Sequence, residues 1–268
     1  MSLLDRPLVD KTRVVSGFRP LKVLHHFRKL IADKEDTEQV FHIIEATKGK
    51  RSHQQAWDFI RSEDGQRFLR EGTDIPALLD AHENWADLPE NSVGQHYIRF
   101  MKSEGLTAQG LVDESHKWAP PEQLPQDLTQ WYFERLRDTH DLFHVLTTYG
   151  RDALGETSLL GFSYSQNHNN GILFIAYAGA RQIKKVTGTK APLFASVREG
   201  QRNGKAAAKI AHLDVAALMR EDIDEARARL GIKPPLIYRE CLDILASEGY
   251  STQELGLSAE ESPQPQAA

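Results

Sequence analysis

His140, Asp141 and His144 put two imidazoles and a carboxylate within five residues, and Glu156 adds a second carboxylate twelve positions later. At about 3.6 residues per helical turn, positions i, i+1 and i+4 share one patch, so the first three can serve a common point. Glu156 lies beyond Tyr149-Gly150-Arg151, which reads as a helix break, and can return to that point from the next helix. Imidazole nitrogens and carboxylate oxygens suit a divalent transition metal, and two carboxylates would neutralise its charge. The metal-free alternative is a hydrogen-bonded structural pair of histidines, with Asp141 drawn to Arg137 one turn earlier. A third comparison is the H-E-x-x-H metallopeptidase pattern, whose Glu is a general base on zinc-bound water. Here Asp141 holds that position with a side chain one methylene shorter.

Helices must position these groups, because apolar residues recur with helical rather than alternating period along most of the chain. A first amphipathic helix is expected over 20–32, with Leu21, Leu24, Phe27, Leu30 and Ile31 on one side and Lys22, Arg28 and Lys29 elsewhere. Asp36-Thr37 offers N-cap chemistry for a second helix reaching Gly49. Shorter helices follow near 53–70 and 74–82, and Pro89 and Gly94 punctuate a loop before the next. Pro120, Pro121 and Pro125 form a stiff linker, after which Asp127 caps one long helix over 128–149 carrying both histidines. Glu156 falls on a helix over 152–166. Further helices are expected near 172–186, 194–213, 222–230 and 236–248. The expected fold is therefore all-α: a compact multi-helix domain over 1–257, a metal site between two consecutive helices, and a disordered tail over 258–268.

The 268 residues can bury a substantial core, and 40% hydrophobic with 26% charged residues fits a globular chain. A net charge of −5 argues against nucleic acid as a partner. The single cysteine, Cys241, permits neither an intrachain disulfide nor a cysteine-based zinc site. The start, Met1 to Arg6, has neither a secretory core nor transit-peptide character. The longest apolar run, 171–180, is ten residues against the roughly 20 a membrane-spanning helix needs.

The pattern His140-Asp141-x-x-His144-x11-Glu156 resembles the signature of the coenzyme Q biosynthesis protein 4 family, in a bacterial form. Three further segments are similar to the family: Leu88 to Tyr97, Arg151-Asp152-Ala153-Leu154-Gly155-Glu156, and Arg227-Ala228-Arg229-Leu230-Gly231-Ile232. The resemblance covers roughly 65–235. It implies a role in ubiquinone synthesis, with His140, Asp141, His144 and Glu156 as ligands of one divalent metal. Zinc is favoured by the resemblance; manganese, iron or cobalt are the alternatives. The implied chemistry is removal of the ring carboxylate at C1 of a polyprenylated hydroxybenzoate, with hydroxylation there. The rival it carries is a non-enzymatic lipid-binding scaffold that organises a ubiquinone-synthesising complex. Implied partners are an isoprenoid lipid, the membrane surface, other ubiquinone biosynthesis proteins and a second copy of the chain. The expected place is the bacterial cytoplasm, peripheral on the inner face of the inner membrane.

Two other features bear on that setting. Arg198, Arg202, Lys205 and Lys209 recur at spacings of four, three and four, which on a helix would make one cationic stripe. It reads either as a solvated face or as a dock for anionic headgroups. Gly171, Ala176, Ala178, Gly179 and Ala180 read either as close-packing positions or as a tunnel wall for an isoprenoid tail. Arg135, beside the metal pattern, is expected to be exposed and neutral to substitution.

Overall fold

The computed structural model describes residues 3–13, 19–32, 38–47 and 49–251. Its helices run in chain order as α1 (Pro20–Ala32), α2 (Glu38–Thr47), α3 (Lys50–Arg61), α4 (Glu63–Glu71), α5 (Ile75–Asp80), α6 (Val93–Glu104), α7 (Ala108–Trp118) and α8 (Leu128–Asp138). They continue as α9 (His140–Thr147), α10 (Ala153–Asn167), α11 (Asn170–Thr187), α12 (Leu193–Ala206), α13 (Val215–Met219), α14 (Ile223–Leu230) and α15 (Leu236–Ser247). Short 3-10 turns at His82–Trp85, Pro121–Gln123 and Ile210–His212 join some of them. The all-helical reading holds: among the described residues there is no strand, only an isolated bridge between Ser92 and Asp222. The Asp36-Thr37 cap and the 258–268 tail lie outside the described residues.

Small oxygen-bearing side chains begin most helices by accepting an otherwise orphaned backbone N–H. Asp127 accepts from Gln130, Asp152 from Leu154 and Gly155, Asn169 from Gly171, and Thr107 from Gly110. Gly72, Gly105, Gly188 and Gly231 end α4, α6, α11 and α14 in left-handed conformation.

The single helix expected over 128–149 is two helices. The Thr139 hydroxyl bonds back to the Arg135 carbonyl at 2.9 Å, and its backbone (φ −95°, ψ 4°) leaves the helical range. His140 therefore opens α9. The helix expected over 194–213 stops at Ala206, because Ala207 turns extended and Ala208 donates to the carbonyl of Leu230. Gly94 sits inside α6, not in the preceding loop; a Cβ there would lie 2.9 Å from both the Leu88 side chain and the Met219 carbonyl. Arg135 is buried, not exposed. Its guanidinium donates to the carbonyls of Ala211 and Leu213, both at 2.5 Å, and lies over the Phe68 ring.

α10 is the centre of the molecule and packs on both α11 and α12. Its closest approach uses Gly200 and Gly204 of α12, where a Cβ would meet the carbonyls of Ser158 and Phe162 at 2.2 and 2.3 Å. The buried hydroxyls of Ser158 and Ser196 bond across this seam at 2.7 Å. The main core gathers Trp85, Tyr97, Met101, Leu142, Leu146, Leu154, Phe162, Val197 and Leu218, each essentially inaccessible. Full burial of side chains of this size contributes roughly 1.5–3 kcal/mol apiece. A second cluster joins Phe59, Phe68 and Tyr132; a third joins Val23, Ile43 and Ile175.

The small residues of α11 are consumed by this packing. Gly171 abuts Thr47 and Ile43, Gly179 abuts Thr157, and Ala176 and Ala180 are fully buried. These four are close-packing positions, and Ala178 is half-buried.

Candidate metal centre

His140 and His144 stand one turn apart on α9, with ring centroids 5.1 Å apart and planes at 70°. Glu156 comes from the first turn of α10. One ligand atom from each of His140, His144 and Glu156 lies within 4.8 Å of the others. Consecutive helices meet this way because Thr148 ends α9 in left-handed conformation (φ 60°) and Asp152, four residues on, caps α10. Gly155 lets the reversal close: a Cβ there would sit 2.2 Å from the Gly150 carbonyl oxygen.

His144 carries the most telling detail. Its Nδ1–H donates to the Tyr149 carbonyl at 2.9 Å, which leaves the lone pair on Nε2. That Nε2 is buried, has no hydrogen-bond partner, and lies 3.5 Å from Glu156 Oε1. The Phe100 ring stacks over the imidazole, 5.4 Å between centroids and 21° between planes. Burial, then the neighbouring His140, lowers the His144 pKa to about 3, so the ring is neutral, as a ligand must be. Burial pushes the Glu156 carboxyl up to about 7, against the pull of His140 and Arg151. Burial disfavours charge on His140, but the hydrogen bond and charge of Asp141, with Glu156, outweigh it and raise its pKa. A buried, unpartnered imidazole nitrogen beside a carboxylate that resists ionisation on its own is a donor set that a divalent cation would satisfy.

Asp141 stands apart from this set. Its Oδ1 is 3.4 Å from His140 Nδ1, and it is absent from the group of mutually close ligand atoms. One residue along a helix is a rotation of about 100°, which sets Asp141 to one side of the line that joins His140 to His144. Three of the four expected residues thus converge, and the fourth flanks them. Arg137, the competing partner for Asp141, binds Asp138 and Ser115 instead.

Four contributors escaped the sequence reading: Phe100, the Tyr149 carbonyl, Arg151 and Arg227. Arg151 bridges Glu104 at 3.6 Å and Glu156 at 3.9 Å. Arg227 donates to the carbonyls of Val145 and Leu146, satisfying the end of α9. The segments around Arg151 and Arg227 were the usable signals, although nothing in them named these roles. In the cationic group, Arg198, Arg202 and Lys205 are exposed on α12. Lys209 is not part of that stripe: it lies past the helix end and turns inward to the carbonyls of Ser165 and Gln166.

Residues 26–236 match the family model described as coenzyme Q (ubiquinone) biosynthesis protein Coq4. The chain belongs to this family. Relatives of the Coq4-family chain include the mitochondrial ubiquinone biosynthesis protein COQ4 of Ajellomyces capsulatus, 24% identical over 71% of this chain and 65% of the relative. The corresponding protein of Eremothecium gossypii is 26% identical over 64% of this chain and 50% of its own length. The chain therefore spans less than two thirds of these curated relatives. A crystal structure from Nostoc punctiforme, provisionally named a ubiquinone biosynthesis protein, shares the fold: TM-score 0.58 and 21% identity over 80% of this chain and 99% of that one.

Proposed function

We propose that this Coq4-family chain is a metal-dependent enzyme of ubiquinone synthesis that acts on the head group of a polyprenylated hydroxybenzoate. In this reading the C1 carboxylate leaves as CO2, water supplies the hydroxyl that takes its place, and molecular oxygen accepts the two electrons and two protons as hydrogen peroxide. The observation that carries the metal is the orphaned, buried Nε2 of His144 facing His140 and Glu156. His140, His144 and Glu156 would hold the ion, and the resemblance favours zinc over manganese, iron or cobalt. When bound, such an ion supplies Lewis acidity toward a carboxylate or phenolate.

The chain's own residues do the rest. Tyr149 holds His144 in the tautomer that offers Nε2. Phe100 covers the imidazole and keeps water from it. Asp141 accepts from His140 Nδ1 and so leaves Nε2 of that ring for the ion. Arg151, exposed at the rim and near Glu156, offers a cation to an incoming ring carboxylate.

The rival is a scaffold with a structural metal. Structural zinc sites are closed by four protein ligands, whereas catalytic sites keep a position open. Three convergent donors would leave one tetrahedral position open, which supports the enzyme, and Asp141 as a fourth ligand would support the scaffold. The partners proposed are the isoprenoid substrate, other ubiquinone biosynthesis proteins and an anionic membrane surface met through Arg198, Arg202 and Lys205. No helix among the described residues is long and apolar enough to cross a membrane. The test is to incubate purified, metal-loaded protein with a polyprenylated hydroxybenzoate under oxygen. CO2 release with a C1-hydroxylated product supports the enzyme; no product, together with full rescue of ubiquinone in deficient cells by His144→Ala, contradicts it.

A further inference from the structure

Tyr238 lies on α15, two residues past the end of the family match. It is 4% exposed, and its hydroxyl sits between the two helices that carry the proposed ligands. It donates to Asp152 Oδ2 at 2.5 Å and accepts the Gly150 backbone N–H at 3.1 Å. The other oxygen of Asp152 receives the N–H groups of Leu154 and Gly155, and the Asp152 carbonyl receives that of Glu156 at 2.9 Å. One phenol therefore ties the N-cap of α10 to the loop that precedes it. The Tyr238 ring also packs edge-on against Tyr149, 5.3 Å between centroids, and Tyr149 is the residue whose carbonyl orients His144. The fit has no slack: a Cβ on Gly150 would lie 2.8 Å from both the Tyr238 hydroxyl and Asp152 Oδ2. α15 is itself anchored, because the buried Glu199 carboxylate of α12 accepts the N–H groups of Ile237 and Tyr238 at 3.0–3.1 Å.

We propose that Tyr238 is a positioning residue for the metal set, fixing through Asp152 and Gly150 the loop that places His144 and Glu156 against each other. It touches no ligand directly. Its effect passes by two short routes, Tyr149 to His144 and Asp152 to Glu156. The proposal rests on the metal reading above. Groups bonded directly to a metal ligand change affinity by about 10–100-fold when removed, and Tyr238, one step further out, is expected at the low end of that range.

Tyr238→Phe deletes the hydroxyl and keeps the ring on Tyr149. Tyr250→Phe is the matched control, since the Tyr250 hydroxyl donates to the Thr187 carbonyl just beyond the other end of α15. Three quantities are compared in wild type and both variants: Zn2+ affinity by competition with a chromophoric chelator, the visible spectrum of the Co2+-loaded protein, and amide exchange of Gly150, Gly155 and Glu156 without metal. Tyr238→Phe should bind Zn2+ about tenfold or more weakly, alter the Co2+ bands and speed exchange at those amides. Tyr250→Phe should change none of them, even where both variants lose similar melting temperature. A Tyr238→Phe protein that binds Zn2+ as tightly as wild type overturns the proposal alone. A wild type that takes up neither Zn2+ nor Co2+ overturns the metal reading and this proposal with it.

Discussion

At the scale of residues, the chemistry depends on which nitrogen of a histidine is free. Tyr149 decides this for His144, and a backbone carbonyl at the right place cannot be read from side-chain types. Spacing made the convergence of His140, His144 and Glu156 legible, since i, i+4 shares a helix face and a carboxylate after a helix break can return to it. It gave Asp141 the same standing, whereas the side chains place Asp141 against His140 and outside the group of three mutually close ligand atoms. Glu156→Gln keeps the side-chain size and removes the charge. It should lower Zn2+ affinity at least tenfold in chelator competition and leave far-UV circular dichroism unchanged. Gly155→Ala should do more harm than its size suggests, because the added carbon has no room against Gly150. A loss of about 1–3 kcal/mol in urea unfolding is expected, and a neutral Gly155→Ala would mean that the loop is looser than described.

At the scale of elements, helical period located nearly every helix, and Pro20–Ala32 agrees with expectation to the residue. The failures are informative. Thr139 splits a continuous apolar pattern because its hydroxyl competes for a helix carbonyl, a local choice that periodicity does not record. Arg198 to Lys209 looked like one face because the spacing assumed a helix that ends at Ala206. The same segment held a stronger signal in Gly200 and Gly204, which let α12 close on α10. Arg135 was misread as a surface group because a buried arginine needs partners that only the fold supplies, here the carbonyls of Ala211 and Leu213. Arg135→Ala should therefore destabilise by about 2–4 kcal/mol, since it strands two carbonyls and opens a gap beside Phe68. Equilibrium urea unfolding at neutral pH checks this, and a loss below 0.5 kcal/mol, roughly the limit for ordinary surface changes, would contradict the packing described.

At the scale of the whole molecule, stability should depend on acid through a half-buried neutral histidine, His212. His212 stacks on Phe59 at 4.1 Å and shares a hydrogen bond with the Tyr132 hydroxyl at 3.1 Å. Burial, then Lys209 and Arg135, lower its pKa to about 4. A histidine whose folded pKa lies below its unfolded value of about 6.5 stabilises fully above that value and loses the contribution as pH falls toward 4. The melting temperature should drop across this window, and less steeply in His212→Phe, which keeps the stack. An equal slope in both proteins would remove His212 from the account. Charge on the outside makes a separate prediction. Binding to anionic vesicles should weaken as salt rises, with screening over about 10 Å at 0.1 M. Reversal of Arg202 and Lys205 to Glu should reduce it without unfolding, while Lys209→Gln should affect stability more than binding. Vesicle flotation that is insensitive to both salt and reversal would contradict the basic surface.

The central claim is that three side chains from two consecutive helices hold one ion, and metal content per chain tests it most directly. Wild type and His144→Ala, purified alike and loaded with Zn2+, are measured by elemental analysis beside His25→Ala, an exposed histidine on α1. The account predicts about one metal per chain in wild type and His25→Ala, and most of it lost in His144→Ala. Full metal retained by His144→Ala would contradict it.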